Sequence, residues 1–464
     1  MKTKITLLIV AGILAGCAGG KRTFSTAGDL AAMRDGDRTP EKRLAAMKRL
    51  REAAPGDKAF LRQCYRAIAS PTYPEAMQLL AADALATSGN PKAPMRLAFA
   101  IHHNHRPPVR ARVIEHLVRL GDKKVLGRLV IEMSADENIT APHPWDNPYT
   151  RAIEKLSGQK TAEYLKARFL NMGLLSVRSA ALGYLVRHWG EKQVRKWIAS
   201  AKTRNPLIRD LKNCLAQFEY LPQNSACLAQ VIRLYDPGQK GRRKRLAAIA
   251  RRLHTREGYR FDPRDAGWLL DAPPKRLTRP TKDLIDDLTD RLKALRHVRN
   301  EISYPDAPDD VDETLAGNLN KLSYTDLTRM TMLLDSLADK AFRHDILDQI
   351  KADLAEPRTE LGGLIRLEAG ALTLIPYRPT RLRHDRAYYP PPGLLRKATW
   401  AFAQYHCHAS DADSRPDASP GPADRDFARR FNFVGVVLTS VRNAQFNVDY
   451  YTPDGAVVDL GVWE

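Results

Sequence analysis

Two segments of the chain decide its predicted fold: PVRARVIEHLVRLGDKKVLGRLV, residues 108–130, and SVRSAALGYLVRHWGEKQVRKWI, residues 176–198. In both, Val-Arg opens a segment whose apolar residues recur at helical spacing, and a glycine then interrupts the pattern before a second helical segment begins. Glycine suits the left-handed conformation that ends many helices. Each segment therefore predicts two helices joined by a short turn.

The same pattern extends from about residue 40 to about residue 205. Glycines interrupt it at intervals of 33, 32, 37 and 32 residues, at Gly56, Gly89, Gly121, Gly158 and Gly190. Such a period is typical of helical solenoids, and the two segments resemble HEAT-type repeats. The resemblance implies an α-helical solenoid over residues 31–205 with a curved binding surface. Residues 206–335 predict further helices, and whether these continue the solenoid is left open.

The pattern changes past residue 360, where short segments rich in β-branched and aromatic residues lie between Gly, Pro and Asn. They are GGLIRLEAGALTLI, ATWAFAQYHCH, FVGVVLTS, AQFNVDYYT and GAVVDLGVW. These segments predict strands, and Asp454-Gly455 predicts a hairpin. The expected fold class is multidomain: a helical solenoid followed by a compact α/β or α+β domain at residues 336–464.

The composition limits the class of protein. Of 464 residues, 44% are hydrophobic, which excludes a wholly disordered chain, and five cysteines are too few for a disulfide scaffold. Lysine and arginine outnumber acidic residues by 74 to 53, and a net charge of +21 favours anionic partners. The basic run at residues 240–256 predicts a solvated helix face or a contact with anionic lipid or envelope polymer. Aromatic residues do not interleave with its charges, which argues against nucleic acid.

The first residues predict an export signal. Two lysines precede the apolar run at residues 5–14, which is too short to span a bilayer and is typical of a signal peptide. The run leads into LAGC, which resembles the lipobox of bacterial lipoproteins; the alternative is an ordinary secretory signal with an incidental cysteine. The resemblance implies removal of residues 1–16, acylation of Cys17 and a lipid-anchored protein of the bacterial cell envelope. Ala18 favours the outer membrane, and residues 17–30 predict a tether.

Four residues predict a metal site in the C-terminal domain. His406 and His408 lie in a predicted strand, where residues two apart point the same way, so both imidazoles should project to one side and Cys407 to the other. Glu360 opens the segment ELGGLI, and Asp424 falls in the first turn of a predicted helix. Two imidazoles and one carboxylate make a three-ligand zinc site with a position left for water. A second carboxylate can accept the water proton.

This grouping resembles the JAMM/MPN (JAB-domain) metalloprotease family, in which a glutamate precedes a Gly-Gly-Leu-like strand, His-x-His ends a strand and Ser-x-x-Asp opens a helix. The resemblance covers residues 336–464. It implies that His406, His408 and Asp424 bind zinc and that Glu360 is the general acid/base. The implied function is a membrane-anchored, zinc-dependent amide or isopeptide hydrolase whose helical repeats bind a partner and whose substrate is a peptide or protein.

The chain also departs from the family pattern. Fifteen residues separate His408 from Asp424, more than in much of the family, whereas Asp417 leaves only eight. Gly421 stands where the family has a serine that stabilises the oxyanion, unless Ser419 replaces it. The alternative function is therefore a non-catalytic scaffold or binding lipoprotein of the cell envelope with a degenerate JAMM-like domain.

The other cysteines predict structural roles. Cys64, Cys214 and Cys227 read as small buried apolar residues. Alternatively, Cys214 and Cys227 could form a disulfide in an oxidising compartment.

Overall fold

The computed structural model describes residues 25–102, 106–136, 144–171, 174–202, 204–298, 311–380 and 388–464. The chain forms two compact units, the first ending at Leu165 and the second running from Lys166 to Glu464. The predicted signal peptide and Cys17 lie outside the described residues. Within the described ranges, no helix combines the length and the apolar character needed to cross a membrane.

The helices of the first unit begin and end at the residues that the sequence favours. Helix α6 has proline in its first turn and ends at Gly121, which takes the left-handed conformation with φ of 68°. The Asn147 side chain caps α8 by accepting from the backbone N–H groups of Tyr149 and Thr150. The helices are α1 (Thr26–Arg34), α2 (Pro40–Ala53), α3 (Lys58–Ala69), α4 (Glu75–Thr87), α5 (Ala93–Ile101), α6 (Pro107–Leu120), α7 (Leu126–Ala135) and α8 (Pro148–Ser157).

Helix α9 (Thr161–Asn171) spans the boundary at residue 165, and further helices follow in the second unit. The five repeat glycines lie between α2 and α3, α4 and α5, α6 and α7, α8 and α9, and α10 and α11, as the pattern predicts. The helices are α10 (Leu175–Trp189), α11 (Glu191–Ser200), α12 (Pro206–Phe218), α13 (Ser225–Leu234), α14 (Lys240–Leu253), α15 (Ala266–Asp271), α16 (Thr281–Lys293), α17 (Leu315–Asn318), α18 (Tyr324–Ala338) and α19 (Lys340–Leu354).

A six-stranded mixed sheet with two more helices completes the second unit. The elements are β1 (Gly362–Glu368), β2 (Ala371–Tyr377), α20 (Pro392–Ala398), β3 (Ala403–His408), α21 (Pro422–Phe431), β4 (Gly435–Val441), β5 (Gln445–Tyr451) and β6 (Val457–Trp463). The strand order is β2-β1-β3-β4-β5-β6, and β3 and β4 run parallel while the other neighbours run antiparallel. The prediction of a largely helical chain followed by a C-terminal region of strands and helices is thus confirmed, as is the hairpin at Asp454-Gly455 between β5 and β6.

The two faces of the sheet pack against different helices. The Tyr405 hydroxyl bonds to Gln349, which places α19 on one face of β3. On the other face, Ala428 of α21 joins Val437 and Tyr451 in a hydrophobic cluster. Because side chains alternate along a strand, β3 presents His406 and His408 towards α21.

A buried ionic network fixes β5 against the helices. Arg329 of α18 pairs with Asp265 at 2.8 Å, and the Tyr450 hydroxyl donates to Asp326 at 2.8 Å. All four side chains are almost fully buried. Removing one member of such a network typically costs about 3–5 kcal/mol, because a buried charge loses its partner. The network therefore holds the strand that carries Tyr451 in place.

The described cysteines are buried and have free thiols. They are Cys64, Cys214, Cys227 and Cys407. The prediction that the first three are buried is confirmed, and Cys214 and Cys227 form no disulfide with each other.

Candidate metal centre

The histidine pair lies at the end of β3, on one face of the sheet. The Nε2 atoms of His406 and His408 are 3.2 Å apart, which confirms that both rings project to the same side. His406 is only 2% exposed. On its other side, β3 approaches β1 closely at Gly362, where a Cβ atom would lie 2.5 Å from the carbonyl oxygen of Tyr405. Glycine at this position is what allows β1 to pack so tightly against the histidine strand.

A backbone carbonyl orients His408. Its Nδ1 lies 2.6 Å from the carbonyl oxygen of Asp417, at the end of a short 3-10 turn. A carbonyl only accepts, so Nδ1 carries the proton and donates it. The neutral ring then has its lone pair on Nε2, which points towards His406. This arrangement is how metal-binding histidines are usually fixed in the correct tautomer.

Asp424 reaches the histidine pair from the first turn of α21. Its Oδ1 lies 3.4 Å from Nε2 of His406, and its Oδ2 lies 3.8 Å from Nε2 of His408. The backbone N–H of Gly421 donates to Oδ2 at 2.9 Å and so orients the carboxylate. The spacing in the sequence allowed either Asp417 or Asp424 as the third ligand. In the structure the Asp424 carboxylate lies beside both histidines, whereas Asp417 contacts His408 through its backbone carbonyl.

These separations match a tetrahedral ligand shell. Two ligand atoms bound to a metal at about 2.0–2.1 Å with tetrahedral angles lie about 3.3 Å apart. The two Nε2 atoms are 3.2 Å apart, Asp424 Oδ1 lies 3.4 Å from that of His406, and Asp424 Oδ2 lies 3.8 Å from that of His408, so each oxygen of the carboxylate faces a different ring. The two imidazoles and the carboxylate are therefore spaced closely enough for a metal ion to bind among them.

Glu360 also approaches the histidine pair. Its Oε1 is 4.0 Å from Nε2 of His408, and the residue is 7% exposed. The ligand atoms of Glu360, His406 and His408 all lie within 4.8 Å of one another, so this buried group could hold a metal ion. Glu360 is slightly farther from His408 than Asp424 is, at 4.0 Å against 3.8 Å.

Asp353 holds the backbone beside Glu360, a role that the sequence analysis did not find. Its buried carboxylate on α19 accepts from the backbone N–H of Leu361. The carbonyl of Leu361 in turn accepts from the backbone N–H of Cys407 at 2.9 Å. These two bonds tie the segment bearing Glu360 to α19 on one side and to the histidine strand on the other.

The charges of the site favour a cation. Burial of the His406 ring lowers its pKa, but the charges of Asp424 and Glu360 outweigh burial and raise that pKa to about 9. Burial raises the pKa of Asp424, but the neighbouring histidines outweigh it and lower that pKa to about 2. Positive charge is therefore stabilised among these carboxylates, and a divalent metal ion can supply it in place of a proton.

The Tyr451 ring packs beside His406, a contact that the sequence analysis did not predict. Its ring stands edge-on to that of His406, with centroids 6.4 Å apart. Burial raises the pKa of Tyr451 well above its usual value, and the charges of Asp424 and Glu360 raise it further, so the hydroxyl keeps its proton. Gly435 makes room for this ring, since a Cβ atom there would lie 2.0 Å from Cζ of Tyr451.

Two positions of the family pattern differ here. Gly421, which stands in place of the family serine, offers only its backbone N–H, and that group is bonded to Asp424. Ser419 is buried in a left-handed conformation with φ of 80°, and its backbone N–H donates to Asp449 at 3.0 Å.

Comparison of the chain with protein-family models, with curated proteins and with solved structures finds no match.

Proposed function

We propose that this protein is a zinc-dependent amide hydrolase of JAMM type. His406, His408 and Asp424 would hold the zinc ion, and Glu360 would be the general acid/base. The observation that carries the proposal is the convergence of two Nε2 atoms 3.2 Å apart with two carboxylates, that of Asp424 at 3.4–3.8 Å and that of Glu360 at 4.0 Å from the nearest of them.

Zinc bound here would supply a Lewis acid that activates water and polarises an amide carbonyl. Glu360 accepts the proton of the attacking water as the new C–O bond forms. It returns this proton to the nitrogen as the C–N bond breaks, so one amide and one water give a carboxylic acid and an amine. The Asp417 carbonyl keeps His408 in its neutral tautomer, and Asp353 holds the segment that bears Glu360.

The proposal includes where the enzyme works. The LAGC sequence before Ala18 supports acylation of Cys17 and anchoring in the bacterial cell envelope, on the outer membrane. The glycine period supports an α-helical solenoid of HEAT-like repeats that binds a protein partner. Peptide or protein substrates at the envelope are consistent with both features.

A non-catalytic scaffold is the second candidate function, and Gly421 is the observation that favours it. A glycine has no hydroxyl to stabilise an oxyanion, and loss of one such donor can lower a rate by about 10²-fold or more. In this case the metal site would be structural.

Metal content measured by mass spectrometry tests the site. The chain without residues 1–16, supplied with zinc, should retain about one zinc per molecule, and a His406→Ala/His408→Ala variant should retain none. A His254→Ala/His344→Ala variant, which changes two exposed histidines elsewhere, is the matched control. Absence of bound zinc from the unmodified chain would overturn the proposed site.

Hydrolysis separates the two candidate functions. The zinc-loaded protein is incubated with a library of quenched fluorescent peptides, beside Glu360→Gln. An enzyme should cleave members of the library, and Glu360→Gln should keep its zinc but lose about 10²–10⁴-fold in rate. Bound zinc without any cleavage would favour the scaffold.

A further inference from the structure

The second unit contains a large cleft, called here the basic cleft. It has a volume of about 2050 Å³ and is lined by α14, the ends of α11, α12 and α21, and the loops at residues 258–264 and 319–323. Pockets for small molecules usually measure about 300–1,000 Å³. The basic cleft is large enough for a segment of a polymer.

One face of α14 supplies much of the positive charge of the basic cleft. The α14 residues and C-cap histidine along this face are Lys240, Lys244, Ala247, Arg251 and His254. Their spacing of three or four residues places them on one side of the helix. The side chains of Leu246 and Leu253 are buried. The basic run at residues 240–256 therefore has one face that lines the basic cleft and another that packs against the protein.

Several of these cations have no acidic partner. Among the described residues, no carboxylate lies within ion-pair distance of Lys240, Lys244 or Arg251, and the same holds for Arg260 on another wall. The lining holds nine lysine and arginine residues against four carboxylates. Two of these carboxylates are already paired, Glu191 with Arg195 and Asp454 with Arg264. The basic cleft therefore has an excess of unpaired positive charge, which attracts an anionic ligand.

The helix that carries Asp424 connects the basic cleft with the candidate metal centre. Asp424 lies in the first turn of α21, and Asn432, which caps its C-terminal end, lines the cleft. Asn432 lies eight positions after Asp424, a rise of about 12 Å along the helix axis. An extended peptide covers this distance with about four residues. A peptide bound in the cleft could thus extend to the metal centre.

We propose that the basic cleft binds an acidic segment of a polypeptide substrate. The choice of a polypeptide rests on the amide hydrolysis proposed above, whereas the choice of an acidic ligand rests on the unpaired cations. Glutamate and aspartate side chains pair with Lys240, Lys244 and Arg251, and an amide bond several residues away reaches the metal centre.

Fluorescence anisotropy tests this with the full chain carrying Glu360→Gln, so that binding is measured without cleavage. The probe is a labelled peptide of about 12 residues, roughly 40 Å when extended, in which glutamate alternates with serine; a second probe has glutamine for glutamate. The glutamate probe should bind and weaken with added salt, and the glutamine probe should not bind.

Charge reversal locates the binding site. Lys240→Glu/Lys244→Glu/Arg251→Glu should weaken binding of the glutamate probe by about tenfold or more. The matched control, Arg252→Glu/Lys282→Glu/Lys293→Glu, makes the same change in net charge at exposed positions outside the lining. It should change affinity by no more than about twofold. Circular dichroism and thermal unfolding check that both variants fold.

Three results would overturn the proposal: equal binding of both probes, equal losses in both triple variants, or binding of dextran sulfate with no binding of the glutamate probe. The last would make the ligand a polysaccharide. Failure of the proposed hydrolase is distinguishable, because the glutamate probe would still bind although the unmodified enzyme cleaves nothing. Cleavage of peptides without binding of the glutamate probe would leave the hydrolase standing and remove this inference alone.

Discussion

Replacing Gly435 with alanine should damage the candidate metal centre without touching any ligand. A Cβ atom at this position would lie 2.0 Å from Cζ of Tyr451, whereas ordinary contacts begin at 3.4 Å. The ring must therefore retreat by about 1.4 Å, the difference between these two distances. Tyr451 is 1% exposed and packs against Ala428 and Val437, so it has little free space to move into.

The expected cost has two parts. Overpacking of this size in a buried cluster typically costs about 1–3 kcal/mol of folding stability. The displaced ring also disturbs His406, and disturbing a group behind a metal ligand typically lowers metal affinity by about 10–100-fold. Scanning calorimetry of the metal-free protein measures the first effect, and competition with a chromophoric zinc chelator measures the second.

Two variants complete the experiment. Gly241→Ala is the matched control, because a Cβ atom there meets nothing within 4 Å and alanine in a helix should be neutral or stabilise by about 0.5–1 kcal/mol. Gly435→Ala combined with Tyr451→Leu should cost less than the sum of the two single changes, because the smaller side chain removes the clash. Unchanged stability and zinc affinity in Gly435→Ala would refute the reasoning.

Two further predictions follow from the same region and from the edge of the sheet. Asp424→Asn should lower zinc affinity by more than about 100-fold, whereas Asp417→Asn should leave it within about twofold, because Asp417 acts through its carbonyl; equal losses in the chelator assay would contradict this. The hydrogen bond that His297 Nδ1 donates to the Asp459 carboxylate raises the pKa of His297 above its ordinary 6.5. This pair therefore stabilises the fold fully below about pH 6.5 and stops doing so as the pH rises through the folded-state pKa. The difference in Tm between the unmodified chain and His297→Gln should shrink from pH 6 to pH 9, and a difference that grows would be inconsistent with the assignment.

The sequence predicted those parts of the site that depend on local geometry. His406 and His408 share a face because a strand alternates its side chains, whatever lies around it. Asp424 falls in the first turn of α21 because Pro422 and the apolar spacing after it define where that helix begins. The helices between the repeat glycines follow from the same kind of short-range rule.

The parts that were missed depend on contacts between distant segments. Asp353 meets Leu361 only after α19 packs against the sheet, and Tyr451 reaches His406 only because β4 lies between β3 and β5. Nothing in the spacing of residues gives this strand order. Likewise, the basic run around α14 was recognisable as a charge pattern, but which of its faces lines a cleft depends on how the neighbouring helices pack.

The bond between His408 and the carbonyl of Asp417 makes part of the site independent of side-chain identity. The segment at residues 409–423 contains the Asp417 carbonyl, which accepts the hydrogen bond of His408. Asp424, whose carboxylate lies beside His406, follows this segment directly, so one continuous stretch of chain positions both groups. A substitution within this segment changes little if the backbone keeps its path. Insertion or deletion of one residue before Asp417, by contrast, shifts both groups, and a change between Asp417 and Asp424 shifts one group relative to the other. The segment is therefore constrained above all in its length and in the path of its backbone.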